Sequence, residues 1–148
     1  MTPVRRFRTS LGSGHRLVEH IGDCVIEAWA KDPASCIAEA VLALVESFAF
    51  VSDPPTTTVR PVATSARGAE DALVSLLEEV IFSLDVRDEV PVRVHLVEAE
   101  TGGFVGDLEV VSTDAVRLIG PVPKAVSYHE LEMHHDEQGW WCHVLVDL

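Results

Sequence analysis

The chain has 148 residues, 47% of them apolar, with eleven basic against twenty-four acidic side chains and a net charge of −13 at pH 7. That length suits one domain burying about two-thirds of its chain surface, and no apolar run approaches the roughly 20 residues of a membrane-spanning helix. The opening Met-Thr-Pro-Val-Arg-Arg-Phe-Arg lacks the apolar stretch of a signal peptide, so a cytoplasmic protein without membrane contact is expected. Arg5, Arg6, Arg8 and Arg16 fall in an acid-free first sixteen residues, which leaves the rest at −17. Such a body repels a phosphate backbone, so no direct nucleic-acid binding is expected from it; opposite fields favour a basic protein partner. Residues 1–13 read as a disordered basic leader and 14–148 as a single domain.

In chain order, residues 16–20 and 24–30 alternate apolar and polar as half-buried strands do, with Gly22-Asp23 as a turn or bulge between them. Asp32 as N-cap and Pro33 at the first helical position open a helix whose stripe is Ile37, Val41, Leu44, Val45 and Phe48. Ser52-Asp-Pro-Pro55 is expected to end it. Residues 56–64 are rich in β-branched side chains and predict a strand. A second helix opens at Gly68-Ala-Glu-Asp71, its acids in the first turn where the helix dipole favours them. Leu73, Leu76, Leu77, Val80, Ile81 and Leu84 form its stripe, with Glu78 and Glu79 turned to solvent. Residues 92–96 alternate, and 104–111 make their hairpin partner across Gly102-Gly103. Residues 112–123 look irregular. Two last strands, 126–133 and 140–146, flank a polar turn at 134–139. This order predicts an α+β fold: a two-layer sandwich of mixed or antiparallel sheets with two covering helices.

Standard catalytic signatures are missing: no Gly-rich phosphate loop, no nucleophile elbow, no paired-histidine metal helix, no Cys-x-x-Cys. Cys24, Cys36 and Cys142 have no close spacing and read as buried thiols. Adjacent histidines in a strand point to opposite faces, so His134-His135 make poor co-ligands and suit a solvated hairpin tip. His95 and His143 read as surface or satisfied residues.

The informative residues lie at the two ends. Asp23 follows Gly14-His-Arg-Leu-Val-Glu-His20-Ile-Gly22, and Asp147 closes Trp140-Trp-Cys-His-Val-Leu-Val before Leu148, where the sequence stops. If the first and last strands pair, the Asp23 and Asp147 carboxylates and the C-terminal carboxylate of Leu148 come together. Such a cluster repels unless a hard cation, a shared proton or solvent relieves it.

Three segments resemble the archease family: His20-Ile-Gly-Asp23, Lys124-Ala-Val-Ser-Tyr-His129, and the final strand ending in Asp147-Leu148. The likeness runs from about residue 14 to the end. It departs from the family pattern at Ile21-Gly22, where Thr-Ala is usual, and in the apolar, proline-rich segment before Lys124. The resemblance implies an archease-like α+β domain and a non-catalytic accessory role: activating an RtcB-type RNA ligase, which joins RNA ends in tRNA splicing or RNA repair. It implies promotion of GTP-dependent guanylylation and repeated turnover. A divalent cation, calcium with magnesium or manganese as alternatives, is implied on Asp23, Asp147 and Leu148. Asp23, Lys124 and His20 are the expected activation residues, while Tyr128 and His129 are expected to be structural, Tyr128 filling core. Two further readings stand beside this one: a chaperone of RNA- or DNA-modifying enzymes such as a tRNA methyltransferase, and a stand-alone metal-dependent hydrolase.

Overall fold

In a computed structural model, residues 12–20, 22–51, 56–65 and 67–148 are described. The order is β1 (Gly14–His20), β2 (Asp23–Ala30), α1 (Pro33–Phe48), β3 (Ala49–Phe50), β4 (Thr58–Ala63), α2 (Ala69–Arg87), β5 (Glu89–Glu98) and β6 (Phe104–Ser112). After a 3₁₀ turn, Thr113–Ala115, come β7 (Arg117–Leu118), β8 (Ala125–Asp136) and β9 (Gly139–Asp147). Among the described residues two α-helices and three antiparallel sheets make this an α+β fold.

The main sheet runs β1-β2-β9-β8, so the second strand and the last lie side by side in its middle, with β1 at one edge. Period-2 alternation turns Cys24, Ile26, Ala28 and Ala30 of β2, with Cys142, Val144 and Val146 of β9, toward the helices; all belong to the core and none is more than 3% exposed. All three cysteines are buried and free, as their spacing suggests.

Asp32 caps α1 by accepting the Ser35 N–H at 2.8 Å, and Pro33 follows where its missing N–H costs nothing. The stripe Ile37, Val41, Leu44, Val45 and Phe48 is wholly buried, α1 packing against β2 of the main sheet and β5 of the second. Each such side chain contributes about 1.5–3 kcal/mol through burial. The helix stops at Phe48, before the prolines expected to end it. Ala49 switches to extended backbone, and Ala49-Phe50 pair with Leu118 and Arg117. Residues 112–123 are therefore less irregular than expected.

In α2, Leu73, Leu76, Leu77 and Val80 are buried and its acids Glu70 and Asp71 sit in the first turn. Glu78 is exposed, but Glu79 is only half so, accepting from Ser83 and Arg87. The second sheet runs β4-β6-β5 and keeps Pro61 on an edge strand, where a missing donor is tolerated. The leader expected over residues 1–13 falls mostly outside the described residues.

Candidate carboxylate site at the end of the main sheet

Asp23 begins β2 and Asp147 ends β9, and the two are direct antiparallel partners, with Ala125 of β8 beyond Asp147 and His20 of β1 beyond Asp23. Gly22, at φ +82°, makes the left-handed turn into β2, and its carbonyl accepts the Leu148 N–H at 2.9 Å. That bond makes Gly22 and Leu148 a hydrogen-bonded pair. Asp23 and Asp147 are then the adjacent non-hydrogen-bonded pair, whose Cα atoms approach to about 4.5 Å with side chains on one face. The Lys124 N–H donates to the Asp147 carbonyl at 2.8 Å and fixes the entry into β8.

Like charges directly opposite in such a pair destabilise a sheet. Asp147 is exposed, whereas Asp23 is half-buried and its Oδ1 is buried without a hydrogen-bond partner. A buried, unpartnered carboxylate oxygen facing a second carboxylate is costly to the fold alone and suits a cation or a cationic partner group. Among the described residues no group of three or more His, Cys, Asp or Glu side chains is arranged to hold a metal ion. A metal here would have to complete its shell from Leu148, water or a bound protein.

The structure thus brings Asp23, Asp147, Leu148 and the Lys124 backbone together, with His20 beside them by register. The Lys124 side chain is exposed and makes no ion pair among the described residues. Tyr128 corrects the sequence reading. It is 65% exposed rather than core, because β8 slips by three residues against β9 between Ser127 and Glu132. Glu130 sits at φ +60° within this bulge, and His143 Nδ1 lies 3.0 Å from its carbonyl, in donating position. The bulge lifts Tyr128 off the ladder beside the carboxylate pair.

His134 and His135 also lie in β8 rather than at a tip, stacking on Trp141 and Trp140. Not foreseen was the outward row of β2. Asp23, Val25, Glu27 and Trp29 share the face turned away from the helices, with Leu145, His143 and Trp141 opposite the last three. Period 2 counted outward from Asp23 would have found it.

Two carboxylates of the second sheet are paired. The His95 imidazole and then the Thr57 hydroxyl, with Arg93, hold the Glu109 carboxyl below its usual range. A two-bond contact from Arg60 does the same for Glu89.

The chain is thus a small acidic α+β domain whose second and last strands pair at Asp23 and Asp147, and known proteins share its sequence pattern and its architecture. The model of the Archease protein family matches residues 15–148. A Mycobacterium tuberculosis protein named "Probable protein archease" is 40% identical over 147 residues, covering 98% of this chain and 80% of its own. The solution structure of Methanobacterium thermoautotrophicum protein 1598 superimposes with a TM-score of 0.70 at 19% identity, over 91% of this chain and 99% of that one. The crystal structure of an archease from Thermotoga maritima, described as a possible chaperone, does so at 0.63 and 19%, over 90% and 96%. The chain belongs to the archease family. No described helix is long and apolar enough to cross a membrane.

Proposed function

We propose that this protein is a non-catalytic, cytoplasmic accessory factor that activates an RtcB-type RNA ligase. It would act in tRNA splicing or RNA repair by promoting guanylylation and turnover. The observation that carries the reading is the Asp23–Asp147 pair, held side by side at the sheet end with one Asp23 oxygen buried and unpartnered. Nothing in the fold needs two carboxylates there, and local rules broken without structural gain mark functional positions. The kind of partner is what the resemblance to archeases implies.

Asp23, Asp147 and Leu148 would hold a divalent cation, with calcium the favoured ion and magnesium or manganese the alternatives. The donor set fits, since hard cations take carboxylate oxygens. Bound there, the ion supplies positive charge that offsets the repulsion and can be shared with a partner's acidic or phosphate groups. The chain's own residues do the rest. Asp23 fixes one ligand from a half-buried position, and Asp147 offers a second from an exposed one. Lys124 carries a free ammonium beside them for a carboxylate or phosphate, and His20 borders the pair. The acidic body speeds docking to a basic protein rather than to RNA.

A second reading, a chaperone of RNA- or DNA-modifying enzymes such as a tRNA methyltransferase, draws support from the Thermotoga relative, itself described as a possible chaperone. The test is guanylylation of the host's RtcB-type ligase with GTP and Mn²⁺, run with wild type, Asp23→Ala and no added protein. Acceleration by wild type alone is expected. No acceleration by a folded wild type would remove the ligase reading and leave the chaperone one.

A further inference from the structure

We infer that the apolar, proline-rich strap over residues 118–123, which leads into Lys124 and the carboxylate pair, is a docking ridge that a protein partner receives in an apolar, aromatic-lined groove. The inference rests on the proposed accessory role, and the partner is the one that reads Asp23 and Asp147. The strap, Leu118-Ile-Gly-Pro-Val-Pro123, holds no polar side chain, yet Leu118 is 54%, Ile119 55% and Val122 42% exposed. Apolar side chains grouped at a surface mark contact sites, whereas single ones do not. The backbone holds them there. The Ile119 N–H donates to the Phe48 carbonyl at 2.9 Å and the Lys124 N–H to the Asp147 carbonyl at 2.8 Å, so the strap is tied at both ends. Gly120 lies against the Ser47 carbonyl, where a Cβ would come within 2.6 Å of the oxygen. Pro121 and Pro123 fix their own φ, and each holds the residue before it to extended or polyproline backbone. The side chains are therefore presented on a backbone with little freedom left to lose on binding.

Position and chemistry select the occupant. Val122 stands two residues before Lys124, so their Cα atoms lie within about 7 Å of each other, and Lys124 is itself tied to Asp147. Beyond Lys124 the bulge in β8 turns Tyr128 out to 65% exposure, which puts an aromatic ring on the other side of the pair. A surface that reads the two carboxylates therefore meets the strap in the same contact. Extended proline-rich segments dock into aromatic-lined grooves because their backbone is already in its bound form. A net charge of −13 disfavours a second copy and an anionic lipid surface alike. It favours a protein whose groove borders basic groups.

The experiment titrates wild type, Ile119→Ser/Val122→Ser, Val122→Glu and Asp23→Ala into guanylylation of the host's RtcB-type ligase with GTP and Mn²⁺. Far-UV circular dichroism of each protein checks its fold. Both strap variants should raise the protein concentration giving half-maximal acceleration by about tenfold or more. At saturation they should still reach the wild-type rate, whereas Asp23→Ala should lose rate at every concentration. An unchanged half-maximal concentration in the strap variants, with wild type accelerating, overturns the inference and leaves the proposed function standing. A lower rate at saturation without a shift in that concentration overturns it too, by placing the strap in the reaction rather than in docking. No acceleration by a folded wild type removes the proposed function and the inference together. Sedimentation velocity showing a wild-type dimer that the strap variants dissociate would assign the ridge to a second copy instead. Val122→Glu, a single exposed substitution, keeps the test decisive if the double variant fails to fold.

Discussion

Replacing Asp23 by Asn separates a carboxylate kept for function from one kept for the fold. The two Asp side chains share one face of a non-hydrogen-bonded pair, where Cβ atoms lie about 4.5–5.5 Å apart. At about 5 Å the repulsion is roughly 0.8 kcal/mol at the dielectric of water and roughly 3 at an effective value of 20. Asp147 is exposed, which places the pair near the lower figure, about 1 kcal/mol. In chelator, Asp23→Asn should therefore unfold about 2–4 °C higher than wild type, the shift about 1 kcal/mol gives a chain of this size. Calcium should reverse the order. A ligand at a hundred times its dissociation constant adds about 2.7 kcal/mol to the form that binds it, and the variant lacks one of the proposed ligand oxygens. Thermal unfolding by circular dichroism with EDTA and with calcium reads both effects. A variant less stable than wild type in EDTA would make the Asp23 carboxylate structural. Equal stabilisation of both proteins by calcium would take Asp23 out of the proposed metal site.

Two predictions concern other parts of the fold. His15 sits between two carboxylates, Nδ1 2.9 Å from Glu39 and Nε2 against Glu46, and only the imidazolium donates to both. Burial pulls its pKa down, but the hydrogen bonds and charges of Glu39 and Glu46 outweigh that and leave it above 6.5. Its stabilising contribution is thus complete below 6.5, the unfolded value, and lost as pH rises through the higher folded one. His15→Gln should lower the urea midpoint at about pH 5.5 and change it little at about pH 9; equal losses at both would show that packing, not charge, is what His15 provides. Gly106 in β6 leaves no room for a side chain, since a Cβ would lie 1.8 Å from the His95 carbonyl oxygen. Gly106→Ala should cost about 2–4 kcal/mol in urea unfolding, and a neutral result would mean that β5 and β6 separate easily.

Where local chemistry decides structure, the sequence was readable. Asp32-Pro33 names a helix start through a cap and a ring, and both helix stripes are buried largely as their periodicity requires. The placing of the candidate site was legible for a different reason: a short motif at each end of the domain makes joint sense only if β2 and β9 pair, and Asp23 and Asp147 do stand opposite each other. Tertiary context decided the rest. Phe48 ends α1 ahead of any breaker because Ala49 and Phe50 find partners in β7, almost 70 residues on. Tyr128 has the composition of a core residue, but a bulge of three extra residues in β8 turns it to solvent. No periodicity announces a bulge, because its cause is the register of the neighbouring strand. The Trp29–Trp141 pair needed two strands in register before it existed at all.

The seam between β2 and β9 also orders events in time. It joins residues more than a hundred positions apart, so its closure carries a large entropy cost and belongs to the slow, non-local part of folding. The hairpins β1-β2, β5-β6 and β8-β9 close over short loops and can form earlier. The carboxylate pair therefore depends on a long-range pairing, and a chain that has collapsed without zipping this seam does not present it. A partner that reads Asp23 and Asp147 together also reads, in the same contact, whether the domain has finished folding.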